Sequence, residues 1–160
     1  EVVNAKTASL FSAACQVGSI SGLGTEAEVN ALKSFGTNFG MTFQLIDDAI
    51  DYSSNKKILG KNTGDDFKEG KITLPIILAF GRSNDKEKRF WNRTISKLKQ
   101  ELGDFDNALE IINKYQCIED TITRAKHFSN VAIDSIDIFK ESKFKEKLAS
   151  LVSTSLSRIY

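Results

Sequence analysis

The sequence predicts an all-α protein, and three observations support that prediction. Apolar residues recur at three- and four-residue spacings through most of the chain, which is the period of one helix face. No segment has the alternation of apolar and polar residues that would favour a strand. The 160 residues include one proline and ten glycines, and 41% are hydrophobic, so the composition is that of a folded chain. The length alone is that of one helical domain.

The first predicted helix covers residues 2–20 and is ended by the run Ser21-Gly22-Leu23-Gly24. Its apolar face is formed by Leu10, Phe11, Ala14, Val17 and Gly18.

A long second helix is predicted over residues 26–52. Thr25 and Glu28 form a capping box, in which each side chain satisfies a free backbone amide of the other residue at the helix start. The helix contains Gly36 and Gly40, each of which costs about 1 kcal/mol relative to alanine. Because these glycines lie four residues apart on one face, we expect them to mark the close approach of another helix. The apolar stripe comprises Val29, Leu32, Phe35, Phe39, Phe43, Ile46 and Ile50.

The rest of the chain predicts a loop and then further helices. The loop covers residues 53–70, and the helix after it has Pro75 in its first turn and Thr73 as its cap. Residues 86–99 are rich in charge, which favours a solvated helix face with Phe90 and Trp91 tucked under it. Amphipathic helices are predicted at residues 85–102, 105–115, 118–139 and 142–159.

Charge and cysteine content exclude several classes of protein. The 22 Lys and Arg residues nearly balance 21 Asp and Glu residues, so no overall field attracts nucleic acid or an anionic membrane. The longest apolar run, residues 74–80, is far shorter than the roughly 18 residues of a membrane span. Cys15 and Cys117 form no short metal or redox motif, which indicates two reduced thiols in a cytosolic protein.

Three carboxylates crowd the end of the second helix. At about 100° per residue, Asp51 lies about 40° from Asp47, Gln44 about 60° and Asp48 about 100°. Like charges this close raise each other's pKa unless they share a cation, and a hard divalent ion with oxygen ligands would serve. The alternative interpretation is a solvated acidic helix end.

The loop that follows adds cations to this acidic turn. Residues 61–71 are punctuated by glycine and contain Lys61 and Lys71, a setting in which metal and ammonium groups could hold a diphosphate together.

The motifs resemble a known family. The succession is Phe43-Gln44, Asp47-Asp48-x-x-Asp51, Gly60-Lys61 and Gly64-Asp65-Asp66-Phe67-x-Glu69-Gly70-Lys71-x-Thr73-Leu74-Pro75. It resembles the second aspartate-rich region of the trans-isoprenyl diphosphate synthases, and its wording is closest to the long-chain, octaprenyl-type branch. Lys6-Thr7 on the first helix is similar to the lysine–threonine pair of that family. The resemblance is strong over residues 6–75 and generic beyond them.

The resemblance implies an antiparallel helical bundle of the isoprenoid synthase type around a deep cavity. It also implies a Mg²⁺-dependent transferase that joins an allylic prenyl diphosphate to isopentenyl diphosphate to make a trans-polyprenyl diphosphate. We expect a cytoplasmic enzyme that forms a homodimer and has neither nucleic-acid partners nor a transmembrane segment.

The resemblance also assigns the metal site. Asp47 would be a direct Mg²⁺ ligand, and Asp48 and Asp51 would be ligands or holders of metal-bound water. Asp65 would lie behind these ligands without contacting the metal itself.

The remaining assignments concern the substrate. Lys6 and Lys61 would contact the allylic diphosphate, and Lys71 would close the loop over it. Thr7 and Gln44 would line the reacting end. Each has a plainer alternative: Thr7 as a helix hydroxyl bonded to its own backbone, Gln44 as a polar core residue and Lys71 as a surface charge.

The family carries two aspartate-rich motifs, and this sequence has one. We therefore expect residues 1–160 to be the carboxyl-terminal half of a larger synthase domain, with the amino-terminal half as its partner, and to be inactive alone. Two alternatives remain open: a non-catalytic helical subunit of a heteromeric prenyl diphosphate synthase, and a metal-buffering helical protein.

Overall fold

The computed structural model describes residues 3–53 and 63–159, and over these ranges it contains helices and no strands, as predicted. The α-helices are α1 Ser9–Ser21, α2 Glu26–Asp51, α3 Asp65–Lys68, α4 Leu74–Arg82, α5 Asp85–Trp91, α6 Asp104–Lys114, α7 Cys117–Ser135 and α8 Lys143–Ser157. Two segments, Asn4–Ala8 and Asn92–Ser96, are π-helical. None of the described helices is long and apolar enough to cross a membrane.

The structure corrects several predicted boundaries. The first helix begins with a π-helical segment, and the predicted loop over residues 53–70 contains the short helix α3. The helix predicted at residues 85–102 ends at Ser96, because Leu98 adopts a φ of 51°, which is outside the right-handed helical region. The helix predicted at residues 118–139 ends at Ser135.

The chain divides into two compact units. The first combines Glu1–Ile46 with Thr123–Tyr160, and the second is Asp47–Ile122. The core of the first unit is built on Phe35, Ala132, Ile136 and Val152. The core of the second includes Tyr52, Phe67, Ile76, Ala79, Trp91, Ile95, Ala108, Ile111, Ile112 and Cys117.

In the first unit, α2 begins and packs as its sequence predicts. The backbone amide of Thr25 donates to the Glu28 carboxylate at 2.7 Å, and the Glu28 amide donates to the Thr25 hydroxyl at 3.4 Å, which confirms the capping box. Both predicted close-approach glycines lie against the preceding helical segment. A Cβ on Gly36 would stand 2.5 Å from the Phe11 carbonyl oxygen, and one on Gly40 would stand 2.6 Å from the Ala8 Cα.

The outer face of α1 is apolar and exposed. Leu10 is 73% exposed and Val17 is 60% exposed, although both belong to the apolar face that the sequence shows. Ile20 and Leu23 extend the exposed surface towards the end of the helix. Only Phe11 of the large residues on the predicted face is half-buried, because it packs against Phe39 with ring centroids 5.1 Å apart.

In the second unit, aromatic side chains lie beneath the charged segment. Trp91 is 2% exposed, and its indole N–H donates to the Ser83 hydroxyl at 3.0 Å, which confirms its predicted burial. Pro75 lies in the first turn of α4, as predicted, with Thr73 in the N-cap position. The Thr73 hydroxyl makes no capping hydrogen bond, so the position of this cap is confirmed and its bond is not.

Both cysteines are free thiols. Cys117 is buried and Cys15 is half-buried, and burial raises the pKa of each thiol above its ordinary value.

Candidate functional site

In the first unit, Thr7 and Gln44 meet directly. The Thr7 hydroxyl donates to the Gln44 side-chain oxygen at 2.7 Å, across 37 residues of sequence. Thr7 is therefore more than a helix hydroxyl bonded to its own backbone. It lies with Lys6 in the π-helical segment Asn4–Ala8, and such π turns occur frequently at functional sites. Lys6 is exposed.

The three aspartates at the end of α2 differ in burial. Asp48 is only 3% exposed, whereas Asp47 and Asp51 are half-buried. Among the residues that the structure describes, no three acidic, histidine or cysteine side chains form a group that could hold a metal. The three carboxylates thus differ in how far solvent reaches them. Their assignment as metal ligands stays a prediction.

Asp51 is the point at which α2 meets the following loop. Its carbonyl oxygen accepts the Gly64 amide at 3.0 Å, and its carboxylate accepts the Asp66 amide at 3.0 Å. Burial raises the pKa of Asp51, and the neighbouring carboxylates of Asp66 and Asp65 add to the rise, although hydrogen bonds from the backbone amides of Asp66 and Asp65 oppose it. Burial therefore disfavours the ionised form of Asp51.

Asp66 connects this carboxylate to Lys71. The Lys71 ammonium donates to the Asp66 carboxylate at 2.9 Å and lies 2.8 Å from a Glu69 carboxylate oxygen. The hydrogen bonds that Lys71 donates to Glu69 first and to Asp66 second raise its pKa, so this side chain stays charged. Lys71 is 40% exposed and can reach solvent, and the simple surface charge considered from the sequence is in fact a paired one.

Asp65 takes a different partner from Asp66. Its carboxylate accepts the Lys68 ammonium at 2.9 Å, and its side chain is 52% exposed. Its predicted place behind the metal ligands stays a prediction. Lys61, the other predicted diphosphate contact in the loop, lies outside the described residues.

Two further residues lie near the predicted positions: Asp66 was given no role from the sequence, and Arg158 was interpreted as a surface cation. Asp66 is the link between Asp51 and Lys71, and the signal that could have found it is its place beside Asp65 in the motif. Arg158 places its guanidinium carbon 5.0 Å from the centre of the Phe43 ring, a cation–π contact that no local pattern at the end of the chain indicates.

The part of the chain that contains these motifs matches a known protein family. A family model described as polyprenyl synthetase matches residues 1–112. The chain belongs to this family. The match covers the whole of the motif region, from Lys6 to Pro75, and continues into α6 as far as Ile112.

Relatives with curated names agree with this membership. The chain is 39% identical over 159 residues to the octaprenyl diphosphate synthase of Haemophilus influenzae, with 99% of the chain and 48% of that protein covered. It therefore spans about half the length of this relative.

Solved structures of family members have the same fold. A decaprenyl diphosphate synthase from Rhodobacter capsulatus matches with a TM-score of 0.93 at 36% identity, covering 99% of this chain and 49% of that chain. A polyprenyl synthase from Caulobacter crescentus CB15, crystallised with calcium and isoprenyl diphosphate, matches with a TM-score of 0.91 at 39% identity and coverages of 99% and 48%. These matches confirm the predicted all-α fold of the isoprenoid synthase type.

Proposed function

We propose that residues 1–160 are the carboxyl-terminal half of a trans-polyprenyl diphosphate synthase. In this proposal the complete enzyme joins an allylic prenyl diphosphate to isopentenyl diphosphate. The observation that carries the proposal is the hydrogen-bonded chain from Asp51 through Asp66 to Lys71. It combines carboxylates with an ammonium group that can reach solvent, and a site for a metal-bound diphosphate needs both.

The acidic end of α2 has the donor chemistry that Mg²⁺ requires. Asp47, Asp48 and Asp51 offer carboxylate oxygens, the ligand type of hard divalent cations. The raised pKa of Asp51 indicates a carboxylate that a cation would stabilise in its ionised form. We assign Asp47 as a direct ligand, Asp48 and Asp51 as ligands or holders of metal-bound water, and Asp65 to the layer behind. When bound, Mg²⁺ supplies neutralisation of the diphosphate charge as that group leaves.

Lys71 would bind the diphosphate by exchanging partners. Its ammonium already pairs with the carboxylates of Asp66 and Glu69, so a diphosphate oxygen would replace one anionic acceptor with another. An exchange of this kind leaves the ammonium paired throughout. Lys6 and Lys61 are assigned further contacts with the allylic diphosphate.

Thr7 and Gln44 would orient the reacting end. The hydrogen bond from the Thr7 hydroxyl fixes the rotation of the Gln44 amide, so its dipole has a defined direction. A fixed dipole costs no reorganisation when charge develops in the reaction, and it could steady the diphosphate or the allylic cation.

The proposal gives the exposed face of α1 an occupant. An amino-terminal half that carries the first aspartate-rich motif would cover Leu10, Val17 and Ile20 and complete the substrate cavity. The 160-residue chain alone is then inactive, because the first aspartate-rich motif is supplied by that other half, whereas the acidic end of α2 would still bind Mg²⁺ together with pyrophosphate. The complete enzyme is proposed to be a cytoplasmic homodimer.

Calorimetry tests the metal and diphosphate site directly. The 160-residue chain is titrated with inorganic pyrophosphate in the presence and absence of Mg²⁺. We expect pyrophosphate to bind only with Mg²⁺ present, and Asp47→Asn to abolish this binding. Mg²⁺ binding that is indifferent to pyrophosphate would instead favour the metal-buffering alternative.

A chimera tests the reaction. The chain replaces the matching half of the Haemophilus influenzae octaprenyl diphosphate synthase, and incorporation of labelled isopentenyl diphosphate into prenyl product is measured. We expect turnover by the chimera and none by the 160-residue chain. A folded but inactive chimera would contradict the catalytic proposal. Stimulation of a partner synthase by the chain, without turnover in the chimera, would favour the non-catalytic subunit.

A further inference from the structure

Two glycines of the motif loop, residues 64–71, contact side chains from the same distant segment. Gly64 and Gly70 have φ values of +86° and +67°, which glycine adopts without strain. A Cβ on Gly64 would lie 2.6 Å from two carbons of the Phe105 ring, and a Cβ on Gly70 would overlap the Leu98 side chain. Each glycine thus makes room for a side chain from residues 98–105, a segment that we call the cradle.

A hydrogen bond lies between these two contacts. The Gln100 side-chain N–H₂ donates to the Phe67 carbonyl oxygen at 2.7 Å and to the Thr94 carbonyl oxygen at 3.1 Å. Phe67 belongs to α3, midway between the two glycines. The cradle therefore contacts the loop near its start, its middle and its end.

Phe105 also touches the end of α2. Its ring centroid lies 5.7 Å from that of Phe67 in the loop and 6.4 Å from that of Tyr52, the residue after Asp51. Phe67 is 2% exposed and Tyr52 is fully buried. One side chain from α6 therefore packs against both segments that are joined by the hydrogen bond from the Asp66 amide to the Asp51 carboxylate.

The cradle is itself held in place. The Arg93 guanidinium donates to both carboxylate oxygens of Asp104, at 2.7 and 2.8 Å, and to the Lys99 carbonyl oxygen at 2.8 Å. The Asp104 carboxylate also accepts the Glu101 amide at 2.7 Å. A paired, planar guanidinium fixes direction as well as distance, so the cradle presents Gln100 and Phe105 in defined positions.

We propose that the cradle holds the loop of residues 64–71 against the acidic end of α2, and that Gln100 and Phe105 are positioning residues for the diphosphate site. These two residues keep the Asp66 amide hydrogen-bonded to the Asp51 carboxylate, and they keep the Lys71 ammonium hydrogen-bonded to the Asp66 carboxylate. Gly64 and Gly70 are then glycines because a side chain at either position would collide with the cradle. The positioning role rests on the proposed function, whereas the contacts of the cradle do not.

Amide hydrogen exchange tests the cradle without any ligand. Exchange of the Gly64 and Asp66 amides is measured by NMR in the full 160-residue chain. We expect Gln100→Ala to speed this exchange about fivefold, the factor that corresponds to one ordinary hydrogen bond. Phe105→Ala should speed it more, and Phe105→Leu should restore most of the protection. Leu102→Ala is the matched control, because Leu102 lies in the cradle but is fully exposed.

Two results would contradict the proposed role of the cradle. If Gln100→Ala leaves both amides at the wild-type rate, or speeds exchange equally throughout the second unit, the segment does not hold the loop specifically. Gln100→Ala keeps the test decisive even if Phe105→Ala does not fold.

Pyrophosphate calorimetry with Mg²⁺ separates the positioning role from the proposed function. We expect Gln100→Ala to weaken pyrophosphate binding about fivefold while Leu102→Ala leaves it unchanged. Faster exchange with unchanged pyrophosphate affinity would overturn the positioning role and leave the proposed function standing. Failure of the wild-type chain to bind would overturn the proposed site and the positioning role together, and exchange would still decide the cradle.

Discussion

Helix α2 meets other parts of the chain in two different ways. In the first unit, Gly36 and Gly40 let its backbone approach Phe11 and Ala8 so closely that a single Cβ would not fit. In the second unit, its last turn meets the loop through two hydrogen bonds to Asp51 and through packed aromatic rings. The first contact requires that the two glycines carry no Cβ atom. The second requires particular backbone amides and aromatic rings.

This difference bears on how each contact responds to change. A backbone approach has no flexible part, so any added atom must displace a helix. The loop contact is shared among several modest interactions, each worth about 1 kcal/mol, so the loss of one weakens it without removing it. We expect the first contact to govern stability and the second to govern the geometry of the carboxylates.

The largest expected effect comes from filling the glycine contact. Gly36→Ala should destabilise the chain by about 3 kcal/mol, because the new Cβ overlaps backbone atoms of Phe11 and outweighs the gain in helix propensity. Gly18→Ala is the matched control, since nothing lies within 4 Å of its Cβ position, and it should stabilise by about 1 kcal/mol. Denaturant unfolding of both variants measures the difference. Equal effects would show that the contact is not tight.

The next effect tests the anchor of the second contact. Asp104→Asn should destabilise the second unit by about 1.5 kcal/mol, a value kept modest because Arg93 is one-third exposed to solvent. Hydrogen bonding from Arg93 lowers the pKa of Asp104 below its ordinary value of 3.8. Its stabilisation is therefore present above that value and lost as the pH falls through the lowered pKa.

Thermal unfolding between pH 2 and pH 7 measures this contribution. We expect the difference between wild type and Asp104→Asn to shrink as the pH falls below about 4. A difference that is constant across this range would mean that the ionised pair contributes nothing.

A smaller effect is expected from the polar contact within the first unit. Thr7→Val removes the hydrogen bond to Gln44 and should cost about 1 kcal/mol. Ser9→Ala is its control, because the Ser9 hydroxyl makes only a local, exposed bond to the Ala5 carbonyl oxygen. Urea unfolding should separate the two variants, and indistinguishable midpoints would show that the Thr7 bond adds nothing to the glycine contact.

The smallest effect on stability is expected at the exposed face of α1. Leu10→Lys combined with Val17→Lys should change the free energy of unfolding by less than about 0.5 kcal/mol, since neither side chain is buried. The same change should reduce self-association, because it removes a contiguous apolar surface. Sedimentation velocity measures this, with Leu151→Lys on α8 as an exposed control. Unchanged association would mean that this face does not attract other chains.

The two contacts also differ in how well the sequence predicted them. Gly36 and Gly40 lie four residues apart on one helix, so their common face follows from the helical period alone. The cradle, residues 98–105, contacts residues 64–70, and nothing in the spacing of either segment indicates the other. Leu98 and Phe105 were therefore not anticipated, and the helix predicted through residue 102 ended earlier, where Leu98 takes its left-handed conformation.

The candidate site was predicted with similar unevenness. The resemblance to the trans-isoprenyl diphosphate synthases placed Thr7 and Gln44 together at the reacting end, and the structure joins them by a hydrogen bond. The role of Asp66 was missed, because its backbone amide and its carboxylate act in two directions that a sequence motif does not distinguish. The burial of Asp48 was also not expected, since a carboxylate at the solvated end of a helix was the plainer interpretation.

By itself the sequence determined the helical class, the capped start of α2, the close-approach glycines and the family of the chain. These properties depend on periodicity and on short motifs, which are local in the sequence. The tertiary structure decided which apolar faces are covered, which aspartate is buried and which distant side chains hold the motif loop. Those properties depend on contacts between residues tens of positions apart, and such contacts exist only once the helices have packed.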